Sequence, residues 1–295
     1  MKRVYYDKFS AILLRIPVLA TVATLGLITA GLYVKSRPLL ARHSLWQCLS
    51  SQDWHPLRGE FGLLPFITGT LAVTGLAIII AIPVSLLSSV YLTEYASRGL
   101  RAVIRPVIDV MAAIPSVIYG ICGILFIVPL VRAAGTATGF SNSGYTLLSA
   151  GFVLAVMIMP VIVAVTTEVL EAIPIEAREA VIALGATRWE TIRHILLRIA
   201  RPGIVAAVML GLSRAFGETM AVMMVAGNVA NVSFSLFKPV YTLPALIANN
   251  YGEMLSIPLY ESALMLAALI LLAVVATVNI SAHVILRRVH TEIQE

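Results

Sequence analysis

Apolar residues in this chain fall into long runs without a single charge, and the charges collect between them. The runs are Ile16–Val34, Phe61–Thr93, Val110–Val131, Ala133–Thr167 and Ser262–Leu286. A sixth, from about Gly203 to Val229, is interrupted only by Arg214 and Glu218. Crossing a bilayer takes about 20 predominantly apolar residues in a helix, so the pattern predicts six transmembrane helices. The run from Phe61 exceeds one crossing and predicts a helix with an interfacial lead-in. The fourth run opens on Gly, Thr, Ser and Asn between Gly135 and Gly144, so its helix is expected to begin near Tyr145. Pro83, Pro115, Pro129 and Pro160 fall inside the runs. Two readings stay open for them: ordinary packing, or a bundle that flexes between inward- and outward-facing states.

Composition agrees with the pattern. The chain is 59% hydrophobic and 12% charged, where soluble domains carry about 25% charged residues. Its mean hydropathy is +0.94. An all-α membrane protein of 295 residues is expected. The net charge of +6 does not point to nucleic acid, because the basic residues sit at the ends of apolar runs. With both termini in the cytoplasm, inner segments hold Lys2, Arg3, Lys8, Arg98, Arg101, Arg105, Arg178, Arg188, Arg193, Arg198, Arg201, Arg287 and Arg288. Outer segments hold Lys35, Arg37, Arg42, Arg58, Arg132 and Lys238. This balance of 13 against 6 sets the orientation by the positive-inside rule, although the first outer loop alone argues the other way. The first run is longer than a signal-peptide core and is read as a retained helix. Residues 1–60 then form an N-terminal helix and first outer loop, and residues 61–295 a five-span core. Cys48 and Cys122 are expected to be free thiols, and no His or Cys cluster has metal-ligand spacing.

One segment is too polar to cross and too patterned to be a linker: the inner loop 168–202. Pro174 suits a first helical turn, and Glu176 and Glu179 suit its positive end. Gly185 permits a tight break. Beyond it Trp189, Ile192, Ile195, Leu196 and Ile199 fall on one face of a second helix, and Glu190, Arg193, Arg198 and Arg201 on the other. The result is an elbow whose greasy face packs on the bundle and whose tip is Ala186, Thr187, Arg188, Trp189 and Glu190. Amphipathicity alone favours a helix lying on lipid.

A second segment places charge within the membrane. If the fifth helix starts near Gly203, Arg214 lies about 15 Å in, close to the midplane of a ~30 Å core. Charge at that depth needs a partner or water and is a functional candidate by default. Glu218 lies four residues on, on the same helical face. The two are either a structural ion pair or the lining of an anion path. In the second case Arg214 offers a fork that matches phosphate oxygens and Glu218 tempers its grip.

Several stretches carry a family resemblance. Glu179-Ala180-Val181-x3-Gly185-x9-Ile195-x-Leu197 resembles the cytoplasmic-loop signature of ABC-importer permeases. Val181 stands in place of the second alanine, Arg198 in place of the proline, and Pro202 comes four residues later. Met111-Ala112-Ala113-Ile114-Pro115-Ser116-Val117-Ile118-Tyr119-Gly120, Leu212-Ser213-Arg214-Ala215-Phe216-Gly217-Glu218-Thr219-Met220-Ala221-Val222 and Tyr241-Thr242-Leu243-Pro244-Ala245-Leu246-Ile247-Ala248-Asn249-Asn250 resemble the PstC-type permeases of phosphate-specific ABC importers. The Trp54-x-Pro56…Phe61-Gly62 lead-in is also similar. The likeness runs from about Trp54 to the end; the first helix matches in hydropathy only.

The resemblance implies a type I ABC importer permease (MetI-like) fold in a bacterial inner membrane. It implies a PstA-like sister permease, two PstB-like ATPase subunits and a PstS-like phosphate-binding protein outside. It carries the phosphate path over to Arg214 and Glu218. The ATPase docking role falls on Glu179, Ala180 and Gly185, and residues 186–190 are the contacting tip on our reading. The chain holds no Gly-x4-Gly-Lys-Ser/Thr loop, and none of Lys2, Lys8, Lys35 and Lys238 follows a glycine. ATP and Mg are therefore expected on partner subunits, with no cofactor and no catalytic residue here. The same fold importing sulfate, molybdate or phosphonate is the main alternative. A secondary transporter using Glu218 as a relay would leave the 35-residue inner loop without a role. An intramembrane enzyme lacks any supporting motif: there is no His-Glu-x-x-His, no membrane Asp pair and no Gly-x-Ser-x-Gly.

Overall fold

The computed structural model describes residues 2–140, 142–252, 257 and 259–294, with the side chains of residues 2–12, 282–283 and 285–294 excepted. Lys2, Arg3, Lys8, Arg287 and Arg288, counted above in the charge balance, therefore have side chains outside the described residues. The long first helix, α1 (Lys2–Leu40), leads to a short α2 (Leu45–Ser50) and a tight hairpin of β1 (Trp54–His55) and β2 (Glu60–Phe61). Then come α3 (Leu64–Val90), extended by a π-helical turn over Tyr91–Tyr95, and α4 (Arg98–Ala113). The next span is built from α5 (Ser116–Cys122), a π-turn at Gly123–Ile127 and α6 (Val128–Ala137). After α7 (Leu147–Glu171) come the loop helix α8 (Ile175–Ala183), the one-turn α9 (Arg188–Glu190), a π-turn at Thr191–Leu196 and α10 (Leu197–Gly217). The chain closes with α11 (Met220–Val225), α12 (Leu243–Asn250) and α13 (Tyr260–Gln294).

Among the described residues six helices are long and apolar enough to cross a membrane: Leu13–Leu40, Leu64–Tyr95, Ser116–Ala137, Leu147–Glu171, Arg188–Gly217 and Tyr260–Ser281. Two differ from the sequence expectation. The run over Val110–Val131 is not one helix. Pro115 has no N–H to give and forces Ile114 out of helical geometry, so α4 ends at Ala113 and the crossing begins at Ser116. The fifth span is also displaced. It runs unbroken from Arg188 through Pro202 and stops at Gly217, rather than running from Gly203 to Val229. Glu218 is extended (φ −72°, ψ 124°), so the apolar stretch beyond it starts a separate short helix.

Residues 226–242 then double back. Leu147 and Leu148, at the start of α7, donate their N–H groups to the carbonyls of Lys238 and Leu236. That return satisfies two donors which a helix N-terminus leaves unpaired. Irregular backbone of this kind is stable among apolar elements only where protein covers it, and Val225, Ala226, Val240, Leu243 and Leu246 are all buried.

The most buried helix is α7, packed between α3 and α10. Small residues let the axes approach, as expected where lipid removes the usual hydrophobic drive between helices. A side chain at Gly151 would meet Leu76 of α3, one at Gly203 would meet Val169, and one at Gly211 would meet Ile162. Ser89 adds a buried hydrogen bond from α3 to the Val163 carbonyl of α7 at 3.2 Å. At one end of the bundle Trp54, Phe61, Phe66, Tyr241 and Tyr260 form an edge-to-face aromatic cluster that seats the hairpin on α3 and α13. Cys48 is buried in the same apolar cluster, and burial pushes its thiol pKa up. At the other end lie the π-turn of α3, the start of α4, and α8.

Candidate functional site

The first candidate region is where α4, α5 and α10 meet. Arg214 sits in the last turn of α10, half-buried, and its two terminal nitrogens reach the Ala112 carbonyl at 3.3 and 3.4 Å. That carbonyl lies at the C-terminal end of α4, where helix carbonyls go unpaired and the dipole is negative. Pro115 creates this end, so the proline of the 111–120 string supplies the acceptor for the arginine of the 212–222 string. Tyr119 binds the same turn, donating its hydroxyl to the Met111 carbonyl at 2.7 Å. A side chain at Gly120 would collide with Met224 and Ala221, so glycine is what lets α5 lie against α11.

Glu218 does not stand where the sequence placed it. Because α10 ends one residue earlier, the i+4 relation to Arg214 is broken and the two do not share a helical face. Instead a Glu218 oxygen accepts the N–H of Ala221 at 3.0 Å, at the positive start of α11. Among the described residues Arg214 has no carboxylate within ion-pairing distance. A guanidinium has five N–H donors, and a single backbone oxygen leaves most of them for an anion.

The second region is the inner loop. Gly185 has φ +91°, open space where a side chain would go, and the bonding pattern of a helix stop. Its N–H reaches Ile182 O at 2.9 Å and that of Ala186 reaches Val181 O at 3.4 Å. This is a Schellman end with glycine at the left-handed position. Thr187 then starts the next helix through a capping box: its hydroxyl accepts from Glu190 N at 3.3 Å, and Glu190 Oε2 accepts from Thr187 N at 2.8 Å. The elbow is thus written into Gly185, Thr187 and Glu190.

Its surfaces differ from the expected ones. No residue of α8 is buried, and its apolar contact with the bundle is made by half-buried Ala177. Past the elbow Ile192, Leu196 and Ala200 are buried, but Trp189 and Ile199 are exposed. The reason is helical phase: the face in contact with α7 and Val90 is the i, i+4, i+8 row from Ile192, and Trp189 and Ile199 flank it. Glu179, Ala180, Gly185, Thr187, Arg188 and Glu190 are likewise exposed, and Ala186 is half-buried. Leu184 (88% exposed), Ile182 and Trp189 give the tip an apolar surface beside its charges.

Sequence reasoning missed the residues that hold this loop to the bundle. Glu94, in the π-turn of α3, pairs with Arg178 of α8 at 3.3 Å. Glu171, ending α7, pairs with Arg101 at 3.5 Å and with Arg105, both on α4. Arg188 lies 4.8 Å over the ring of Tyr95. The only signal for Glu94 in the sequence is that it is the first charge after a long apolar run. Among the described residues no cluster of His, Cys, Asp or Glu is suited to a metal ion.

Residues 81–291 match the family described as "Binding-protein-dependent transport system inner membrane component". The phosphate transport system permease protein PstC of Xylella fastidiosa (strain Temecula1) is 38% identical over 253 residues, 81% of this chain and 78% of that protein. Among solved structures, an inward-facing MetNI methionine ABC transporter chain superposes with a TM-score of 0.60 at 21% identity, covering 80% of this chain and 99% of that one. A chain of a bacterial alginate ABC transporter, solved with an alginate-bound periplasmic protein, gives 0.69 at 16% identity, covering 98% and 97%. The last two establish the fold.

Proposed function

The chain belongs to the inner-membrane components of binding-protein-dependent transport systems, and from that premise we propose that it is the PstC-type permease subunit of an ATP-driven phosphate importer. The observation that carries the cargo is the 38% identity over four-fifths of the chain to a phosphate permease. As a component of such a system the chain works with a substrate-binding protein and an ATPase. We assign these, more narrowly, to a phosphate-binding protein outside and two ATPase subunits inside, with a sister permease completing the pathway.

Physical requirements support the reading. Moving each negative charge inward against an inside-negative potential costs roughly 2.3 kcal/mol per 100 mV, so import needs an energy source. The exposed tip of the loop, half apolar and half charged, suits docking on the ATPase. The Gly185 elbow holds that tip at a fixed angle to α10, so displacement of the tip is felt along the helix that carries Arg214. Arg214 supplies fixed positive charge for the anion and, with no carboxylate partner among the described residues, keeps donors free. Its contact with one carbonyl steadies the fork without neutralising it. Glu218, capping α11, holds the turn beside it. With the basic loop inside, both termini face the cytoplasm.

The test is uptake of labelled phosphate into liposomes holding the full complex, with sulfate and molybdate as competitors. Excess unlabelled phosphate is expected to abolish the signal and the other two to leave it. Uptake suppressed equally by sulfate overturns the phosphate assignment and keeps the importer.

A further inference from the structure

How the loop grips the rest of the molecule follows from its exposure. Apolar packing of α8 is slight: none of its residues is buried, and half-buried Ala177 touches the cluster of Val90, Leu170 and Ile192. Its polar anchor is Arg178. One terminal nitrogen of that guanidinium donates to the Leu170 carbonyl at 2.7 Å, near the end of α7, and lies 3.3 Å from Glu94 Oε1. One side chain therefore spans α8, α7 and α3.

Glu94 is the unusual partner. Its side chain is only 9% exposed, and an ionised carboxylate so placed is costly unless paired. Its cation arrives from a helix far along the chain. It also sits in a π-helical turn, a local widening of the helix often found at functional positions. The same turn carries Tyr95, over which Arg188 of the loop tip lies. Both ends of the elbow, α8 before Gly185 and Arg188 after it, thus converge on five residues of α3.

The pairing is incomplete. Glu94 Oε1 and Arg178 Nε are both buried without a hydrogen-bond partner. A guanidinium and a carboxylate frequently meet by two parallel bonds; here one nitrogen lies 3.3 Å from one oxygen as an ion pair without a hydrogen bond. Small displacements of α8 relative to α3 would close this contact into hydrogen bonds or open it. Such a contact would differ in energy between two positions of the loop, which is what a transmitting element requires.

We propose that Arg178 and Glu94 are the link through which movement of α8 reaches α3, Arg178 acting as a positioning residue for the loop and the π-turn of α3 as its receiver. The inference rests on the coupling reading above and adds the residues that pass the stroke into the bundle. α3 lies against α7 along its length, so the receiver is continuous with the core helix.

The test uses the complete complex in liposomes and reads phosphate accumulated per ATP hydrolysed. Removing Arg178 alone would strand a buried carboxylate and confuse instability with uncoupling. The informative variant is therefore the double substitution Glu94→Gln/Arg178→Gln, which discharges both partners. It is expected to assemble and hydrolyse ATP, with transport per ATP lowered about tenfold, within the range reported for coupling residues. A wild-type ratio overturns the link. If Gly185→Val uncouples while the double variant does not, the loop reading stands and the Arg178–Glu94 assignment falls. If both keep the wild-type ratio, both fall. Should the double variant fail to assemble, Arg178→Lys decides. Lysine keeps the charge but cannot present two nitrogens in a plane, so a lowered ratio supports the link and an unchanged one overturns it.

Discussion

On the proposed function, Arg214 concentrates the chemistry in one side chain. A charge on the last turn of a membrane helix survives only with compensation, and here the compensation is a backbone carbonyl freed by Pro115. A carbonyl holds the fork in place without cancelling its charge, whereas a carboxylate would compete directly with the anion. Arg214→Gln is therefore expected to lower phosphate uptake about ten- to a hundredfold, the worth of one or two charge-assisted hydrogen bonds, while ATP hydrolysis by the complex continues. Uptake by that variant at the wild-type rate removes Arg214 from the path. Sequence singled out Arg214, because a charge inside an apolar run is legible in a hydropathy pattern; its expected place about 15 Å into a helix from Gly203 was not, since the span runs from Arg188 to Gly217 and puts Arg214 in its last turn. It misplaced Glu218, since a helix end at Gly217 depends on how 218–225 pack and leaves no mark in an apolar average.

At the scale of elements, the elbow is the clearest case of local sequence dictating local structure. Gly185 takes a left-handed conformation, and Thr187 and Glu190 close a capping box within three residues of each other. Each interaction is short-range, so each could be read from spacing. What the loop packs against could not be read, because Glu94 and Arg178 meet only after α3, α7 and α8 are assembled. The same holds for Trp189 and Ile199, whose exposure is set by which row of the helix α7 happens to meet.

Two predictions belong at this scale. A β-branched residue at φ +91° costs about 1–3 kcal/mol of backbone strain, relieved only by opening the elbow. Gly185→Val is thus expected to leave the complex assembled and hydrolysing ATP while transport per ATP drops, measured on the same liposomes. Space is not the cause, since a side chain there meets nothing within 4 Å. Unchanged coupling would show that the angle of the elbow is irrelevant. Thr187→Ala removes the cap, worth about 1 kcal/mol, and is expected to raise amide hydrogen exchange over residues 188–191 without unfolding the bundle. Unaltered exchange there would show that the helix start does not depend on the box.

For the whole molecule, the fold explains why the chain is incomplete as a machine. One end of its bundle carries an exposed, bent loop tied to α3 by an ion pair and to α7 by a hydrogen bond to the Leu170 carbonyl. Between the ends lies a charged side chain with open donors, and the far end carries a hairpin seated on aromatic rings. These parts suit a device that is pushed from one side and supplied from the other. The six crossings were legible because bilayer thickness imposes a length that sequence must honour. The return of residues 226–242 onto α7 was not, because its hydrogen bonds join positions nearly a hundred residues apart.

The central claim is that the permease gains its driving force from outside its own sequence. Its most direct measurement compares phosphate accumulated by liposomes holding this chain alone with that by liposomes holding it with a sister permease, ATPase subunits, binding protein and ATP. The account predicts uphill accumulation in the second preparation and none in the first. Accumulation against a gradient by the chain alone would contradict it.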